Sequence, residues 1–541
     1  MNKKTIIGAS IGNCVHVAGV IHFLELAEDE GYNSIFLGPA VSVDELFENI
    51  DIYRPDMVGV GYRLTPENVV PLLEEINRRR EKLSYNITWV FGGTMPVAHI
   101  ARKYGFFSFV SDGTDDIVDS IRFLRGDSGS DSVMAYPDNI VDRIKENSPY
   151  PVLRHHFGLP SLEDTIDGVR KIAEAKVLDV ISIGPDQNTQ QFFFKQDKMN
   201  KEFDGAGGVP IRTREDFRRL KEATMCGNQP LLRCYSGTED VFEFAELLLD
   251  EIDNAWTAIP LCWYNELDGR GTRVLESSIE EAQRLIKWHA ERNIPVEINE
   301  PHHWAMRDAH DVMSVVMAYV SALNAKELGV KNYISQYMFN VPNGLSFSMD
   351  LARVLAMIEM VESLEDKTFK TYRQTRAGLP LFSSDLDVAK GQLAASTFMQ
   401  MSVKPDIMHV VAFTEANHAA TAEDVIASTK IVKGVIKHTL KDAFSIENNK
   451  EIQSRKNHLL SEARYVIDFI EKKYSSCKNP LTDSFVLADC IKSGIIDAVH
   501  ILKGKKFKGD LYTRITGGMC EACDKSTGEI IDEATRLNNK V

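Results

Sequence analysis

Ile6-Ile7-Gly8-Ala9-Ser10-Ile11-Gly12-Asn13-Cys14-Val15-His16-Val17-Ala18-Gly19 lies at the start of the chain and decides its fold. A short apolar run of strand type ends in small residues and a histidine. It passes directly into Val20-Ile21-His22-Phe23-Leu24-Glu25-Leu26-Ala27, whose apolar positions have helical spacing. Strand, small-residue loop and helix in that order begin a βα unit. A histidine in such a loop sits at the carboxyl edge of an open parallel sheet, where these folds meet their ligands. Taken alone, His16 is better explained by a hydrogen bond within a turn.

Two later stretches change that balance. Val58-Gly59-Val60-Gly61-Tyr62-Arg63-Leu64-Thr65-Pro66 is another buried-type strand running into a loop, and Trp89-Val90-Phe91-Gly92-Gly93-Thr94 is a third. Pro66 to Arg80 between them reads as helix. The series Cys14-x-His16-x-x-Gly19, Tyr62-Arg63-Leu64 and Gly92-Gly93 keeps intervals of 42 residues from Val20 to Gly61 and 27 from Thr65 to Phe91. It resembles the cobalamin-binding domain of B12-dependent mutases and methionine synthase, which carries Asp-x-His-x-x-Gly, Ser-x-Leu and Gly-Gly. Asp112-Gly113-Thr114-Asp115-Asp116-Ile117-Val118-Asp119 resembles that domain's last loop and helix. The resemblance implies that His16 is the lower axial ligand to cobalt. It also implies that Cys14, Gly19, Tyr62 and Leu64, with Gly92, Gly93 and Gly113, line the cofactor site. Two positions depart from the family. Cys14 replaces the aspartate that fixes the histidine tautomer, and a thiol is a weak acceptor, so Asn13 is the candidate substitute. Tyr62 replaces a small serine beside the cofactor's nucleotide tail, which implies a reshaped pocket.

The chain has 541 residues, 44% of them hydrophobic and 26% charged, enough for two or three domains. A formal net charge of −16, without a basic patch interleaved with aromatics, argues against nucleic-acid binding. No apolar run approaches the roughly 18 residues of a membrane span, and the prelude Met1-Asn2-Lys3-Lys4-Thr5 is too short for a secretory signal. The 8 cysteines are scattered in a reduced, cytoplasmic pattern, and Cys520-Glu521-Ala522-Cys523 lacks the second pair of a zinc site.

Composition and periodicity divide the chain into an N-terminal domain over 1–127, a linker over 128–164, a barrel over 165–440 and a C-terminal α+β region over 441–541. Residues 1–127 alternate strand and helix, as in a doubly wound, flavodoxin-like parallel sheet. The polar run Arg125 to Ser132 and the prolines at 137, 149, 151 and 160 mark the linker, in which Arg154-His155-His156 reads as solvated surface. Repeated βα units over 165–440 fit a (β/α)8 barrel, with strands expected at 180–183, 229–233, 255–261, 295–299, 332–336 and 407–411. The glycines of Asp204-Gly205-Ala206-Gly207-Gly208 read as a flexible turn rather than a nucleotide loop. The strand ends are polar: Arg233 to Asp240, Cys262 to Gly271, Asn299-Glu300-Pro301-His302-His303, Ser335-Gln336-Tyr337 and Ala412 to His418. An arginine at such a rim suits a carboxylate, whose two oxygens match its forked donors.

This second region resembles the large, epsilon chain of glutamate mutase. The likeness rests on Leu232 to Thr238, Ser278 to Pro301, Ala322 to Tyr333, Arg376-Ala377-Gly378-Leu379-Pro380-Leu381-Phe382, Ile426 to Lys430 and Cys490 to Asp497. It implies an adenosylcobalamin-dependent carbon-skeleton mutase, a homodimer, with both parts of that enzyme fused in one chain. By resemblance Arg233 grips a small carboxylate-bearing substrate, and Glu300 and Tyr264 match family active-site residues. The family histidine after the arginine is Cys234 here, and the glutamate beside the substrate amine falls at Ile259-Pro260. Arg270 and Arg273 are candidates for new carboxylate contacts, and a substrate other than an α-amino acid is indicated. The rival readings are a B12-binding sensor or carrier whose barrel has lost catalysis, and a corrinoid methyltransferase. The helical cap usual in methyl carriers has no room ahead of Thr5.

Overall fold

Buried β-type runs bounded by glycine and polar turns become strands, and the amphipathic stretches between them become helices, in the computed structural model of the chain. It describes all residues except 1–2, 114–116, 127–135, 236, 442–445, 503–505, 508 and 541; the polar run Arg125 to Ser132 at the start of the expected linker falls largely outside the described residues. The chain divides into two units, residues 1–134 and 135–541.

The first unit is a parallel sheet of β1 (Thr5–Ile11), β2 (Asn33–Val41), β3 (Met57–Tyr62), β4 (Thr88–Gly93) and β5 (Phe107–Ser111), in the order β2-β1-β3-β4-β5. This is the flavodoxin-like arrangement expected from the sequence, and its strand order reverses at β1 and β3, where such sheets bind ligands. Alternation assigns the two faces. Ile7, Ala9 and Ile11 of β1, Val58, Val60 and Tyr62 of β3, and Trp89 and Phe91 of β4 pack under helices Val43–Tyr53, Pro66–Arg80 and Met95–Lys103. Ile6, Met57 and Val90 face helices Ala18–Asp29 and Ile117–Arg125, through Val20, Leu24, Ala27 and Leu124.

The second unit is a barrel of eight parallel strands: β6 (Val152–Phe157), β7 (Val180–Ile183), β8 (Leu231–Cys234), β9 (Thr257–Ile259), β10 (Val296–Ile298), β11 (Asn332–Phe339), β12 (Lys370–Ala377) and β13 (Ile407–His409). Each strand is followed by a helix, and β6 pairs with β13. The ring is nearly closed; at the seam between β8 and β9 the Ala255 N–H donates to the Leu232 carbonyl at 2.9 Å. Two of these strands correct the sequence reading. The barrel begins inside the expected linker, with β6, and β12 carries no clean apolar pattern. In both the inward positions are polar (Arg154 and His156, Gln374 and Arg376), so the usual signal of a buried strand is missing. Helix Ile140–Asn147, also in the expected linker, packs Ile140 and Ile144 against Val152, Val180, Leu231, Ile334 and Ile407 at the amino ends of the strands.

The C-terminal region is α+β, as expected: helices Lys450–Lys473 and Ser484–Ser493, then the antiparallel pair β14 (Tyr512–Thr516) and β15 (Met519–Cys523). Its apolar residues share one core with helix Asp311–Glu327 of the barrel. Buried Arg455 ties the parts together, reaching Asp311 at 2.9 Å and Glu521 at 2.6 Å. Among the described residues no helix is long and apolar enough to cross a membrane. Removing one member of a buried ion pair strands the others, so Arg455→Ala should destabilise this unit by about 3–5 kcal/mol. Its thermal unfolding transition would then fall by several degrees; an unchanged transition would show the network to be dispensable.

Candidate functional site

In the first unit a cavity of about 560 Å³ opens between the carboxyl ends of the sheet and helix Ala18–Asp29. Its floor follows from strand register: Gly8 pairs with Gly59, Ser10 with Gly61, and Gly61 with Gly92, all on one face. A Cβ on Gly61 would stand 2.5 Å from Val20 Cγ2, and one on Gly8 2.9 Å from Leu24 Cδ1, so these glycines let the helix approach. A Cβ on Gly19 or Gly92 would meet no atom within 4 Å, because both border open cavity. Apolar walls come from Val20, Phe23, Leu24, Val90 and Phe109, while His16, Arg63, Thr94, Asp112 and Gly113 give a polar rim. Gly113 has φ +87°, a turn that glycine adopts without strain.

His16 is exposed in the loop after β1. Its backbone carbonyl accepts from the Ser10 hydroxyl at 2.9 Å, and its Nδ1 lies 3.8 Å from the Cys14 sulfur. That sulfur also accepts the Arg63 N–H at 3.3 Å. Nδ1 is thus turned toward a weak acceptor, which leaves Nε2 as the nitrogen for a ligand. Gly19, Gly92, Gly93 and Gly113 line the cavity with His16, while Cys14 lies buried behind the histidine. Tyr62 and Leu64 do not line it. Tyr62 is fully buried on the opposite face of the sheet, one residue out of phase with Gly61, and its hydroxyl donates to Asn13 Oδ1 at 3.0 Å. Asn13 is therefore engaged by Tyr62 and not by His16. Leu64 packs in that same core. The close helix approach beside the cavity depends on Gly61 and Gly8, which sequence reading did not single out.

In the barrel a polar cavity of about 170 Å³ lies at the carboxyl ends of the strands, where barrels of this kind carry their sites. Arg154 and His156 from β6, Arg233 from β8, Glu297 from β10, Gln336 from β11 and Arg376 from β12 point into it. Arg233 donates to Glu297 Oε2 at 3.3 Å, and Trp256 Nε1 donates to the same oxygen at 2.8 Å. Trp256 in turn lies 5.0 Å from the Arg233 guanidinium and 5.6 Å from that of Arg154. Every guanidinium nitrogen of Arg154 has a partner: Nε donates to Gln374 at 2.6 Å, Nη1 to Ser182 at 2.9 Å with His156 Nε2 at 3.3 Å, and Nη2 to Gln336 at 3.3 Å. Nε and Nη1 of Arg233 and Nε of Arg376 have no partner among the described residues.

The imidazoles here are neutral at pH 7. Burial pulls His302 down to about 3, helped by the Arg376 charge. Burial also holds His156 and His409 well below the ordinary histidine value, with Arg154 adding to it, and His303 likewise, with His302 and Arg307 adding to it. Glu297 is held below the usual carboxylate value: burial raises it, but the Arg233 and Arg154 charges outweigh that. Three guanidiniums face one carboxylate, an excess of positive charge inside a chain whose formal net charge is −16.

Of the barrel residues expected in the site, Arg233 and Tyr264 line the cavity. Tyr264 has φ +64°, and the Arg270 guanidinium lies 4.1 Å from its ring centre. Glu300 does not reach it. Its carboxylate is turned back into the loop after β9, accepting the Leu261 and Cys262 N–H groups at 2.6 and 2.9 Å and Trp304 Nε1 at 2.9 Å. It holds that loop in place. Arg270 pairs with Asp268 and Arg273 with Glu281, so neither is a free carboxylate contact. Sequence reading missed Arg154, His156, Glu297, His302 and Arg376 as members of the site. The Arg-x-His and Gln-x-Arg alternation of β6 and β12 was the available signal. Among the described residues no cluster of histidine, cysteine or acidic side chains could hold a metal ion, and Cys520 and Cys523 are buried free thiols.

Comparison with known proteins bears on the first unit. No curated protein matches the chain. Solved structures with similarity include a cobalamin-binding protein from Desulfitobacterium hafniense, 21% identical with TM-score 0.19, covering 20% of this chain and 53% of that one. A Rubisco-like protein from Rhodopseudomonas palustris is 11% identical with TM-score 0.31, over 55% of this chain and 68% of that one. The cobalamin-dependent S-adenosylmethionine radical enzyme OxsB is 9% identical with TM-score 0.19, over 81% of this chain and 56% of that one. The chain thus spans about half the length of the first of these, and TM-scores this low say nothing of what it binds or does. The informative match is a family model: residues 4–118, the segment that builds the glycine-floored cavity and carries His16, match the B12 binding domain.

Proposed function

We propose that the chain is an adenosylcobalamin-dependent carbon-skeleton mutase acting on a small carboxylate-bearing substrate. The observation that carries the reading is the first cavity: about 560 Å³, apolar inside, floored by glycines of β1, β3 and β4 and rimmed by His16, within residues 4–118. A flat, mostly apolar group suits such a slot, and an imidazole at its mouth suits a metal. The residues present fit a cobalamin. His16 would offer Nε2 to the cobalt, and the glycine face would take the nucleotide tail. Adenosylcobalamin, when bound, supplies the radical chemistry that a carbon-skeleton rearrangement requires.

The rest falls to the chain's own side chains. Cys14 accepts from the Arg63 N–H and faces Nδ1 of His16, so the histidine is oriented by a sulfur where a carboxylate would bind it more firmly. In the barrel Arg233 holds a substrate carboxylate with its unpaired Nε and Nη1, and Tyr264 and the neutral imidazoles complete the wall. Radical reactions need confinement more than a strong base, and a small enclosed site supplies it. Glu300 takes no direct part, because its carboxylate is consumed by three N–H donors.

The test is the absorption spectrum of the whole protein after incubation with adenosylcobalamin and desalting, beside His16→Ala. The expected result is retained corrinoid with a base-off, histidine-on spectrum; loss of the exposed His16 should cost at least about tenfold in affinity, roughly 1.4 kcal/mol, without altering the fold. Protein that retains no corrinoid sinks the reading. Gly92→Leu makes a second test, since its side chain enters open cavity and meets no protein atom near Cβ. Corrinoid retention should drop by about tenfold or more while the melting temperature stays within a degree or two. Undiminished retention would put the cofactor elsewhere.

A further inference from the structure

We propose that the barrel cavity takes a small dicarboxylate: a molecule with an anionic group at each end and no ammonium group. The inference rests on the reading of the barrel as the substrate site and narrows its substrate. Arg233 on β8 and Arg376 on β12 come from strands that stand opposite one another in the ring order. Both line one cavity, and Nε and Nη1 of Arg233 and Nε of Arg376 have no acceptor among the described residues. Under-paired buried guanidiniums are costly, so two of them on facing walls of one cavity suit ligand oxygens there. Arg154 differs from both. Each of its nitrogens already has a partner in Gln374, Ser182, His156 or Gln336, so its main contribution to the cavity is charge.

The same geometry disfavours an ammonium. Glu297 is the one carboxylate lining the cavity among the described residues, and one of its oxygens is already shared by Trp256 and Arg233. An ammonium would be a fourth cation in a space that three guanidiniums face, with neutral imidazoles around it. A dicarboxylate balances the excess charge, whereas a monocarboxylate leaves part of it unpaired in a buried site. At about 170 Å³ the cavity is below the roughly 300–1,000 Å³ of sites for drug-sized ligands, so a thioester of a large carrier or a nucleotide is too big. A phosphate monoester carries similar charge but gathers it at one end. Guanidiniums on opposite walls favour a ligand charged at both.

Calorimetric titration of the full-length protein without cofactor, at neutral pH and low salt, tests this with succinate, glutarate, butyrate, L-glutamate and glycerol 3-phosphate. Succinate or glutarate should bind at least tenfold more tightly than each of the other three. Arg376→Gln should reduce dicarboxylate affinity to the butyrate level while leaving the butyrate affinity within twofold. Arg376 is the variant of choice because loss of Arg233 leaves Glu297 buried without its cation. Equal binding of butyrate, tighter binding of L-glutamate or glycerol 3-phosphate, no binding of any acid, or an Arg376→Gln protein that keeps its dicarboxylate affinity would each overturn the inference. Protein that retains cobalamin but shows no dicarboxylate preference overturns this inference alone. Protein that binds dicarboxylates but retains no cobalamin overturns the mutase reading and leaves the anion site standing.

Discussion

A β-strand sends successive side chains to opposite faces, and both cavities exist because of what that alternation puts on one face. In the first unit β1 and β3 show apolar side chains to one set of helices and, near their carboxyl ends, glycines to the other. With no side chains there, helix Ala18–Asp29 sits close to the sheet at Gly8 and Gly61, and a cavity opens beside Gly92. In the barrel the inward positions carry Arg154, Arg233, Glu297, Gln336 and Arg376 where a purely structural barrel would stack branched apolar residues. Slip any of these strands by one residue and the chemistry would face the helices.

An arginine-rich barrel interior is expensive to fold, because desolvating a guanidinium costs several kcal/mol unless partners replace the lost water. The protein meets this unevenly. Arg154 is surrounded by amide and hydroxyl acceptors and lies near the Trp256 ring. Arg233 has Glu297 and the same tryptophan but leaves Nε and Nη1 unpaired, and Arg376 leaves Nε unpaired. Arg233, with two nitrogens unpaired, is the least completely paired of the buried guanidiniums among the described residues. Elsewhere, Arg455 and Arg353 are tied to carboxylates that no cavity shares, although the Nε of each also lacks a partner.

Much of the architecture could be read in the sequence, and the gaps have physical causes. The first unit was legible because its constraints are local: a glycine pair, a histidine in a small-residue loop and apolar runs at fixed intervals each leave a mark within a few residues. Tyr62 was misplaced because a motif aligned by position ignores phase; as the neighbour of Gly61 it had to face the other way. The barrel was legible in outline from six apolar strands, while β6 and β12 were lost because their inward residues are the site itself. Glu300 looked functional, as a carboxylate just past a strand end does, yet its oxygens are spent on the N–H groups of Leu261, Cys262 and Trp304. Only the direction of the side chain separates the two roles, and sequence spacing does not report it.

The pairing of β6 with β13 has one more consequence. It joins the first and last strands of the barrel, with Arg154 directly beside His409 in the register, whereas neighbouring strands elsewhere in the ring are consecutive in the chain. That contact has the greatest sequence separation of any strand pair, so its loop-closure entropy is the largest and it forms late. The charged lining cannot assemble around a half-made barrel: guanidiniums from the opening strand stay in water until the closing strand arrives. Topology thereby postpones desolvation of the most costly side chains until the scaffold that compensates them is already in place.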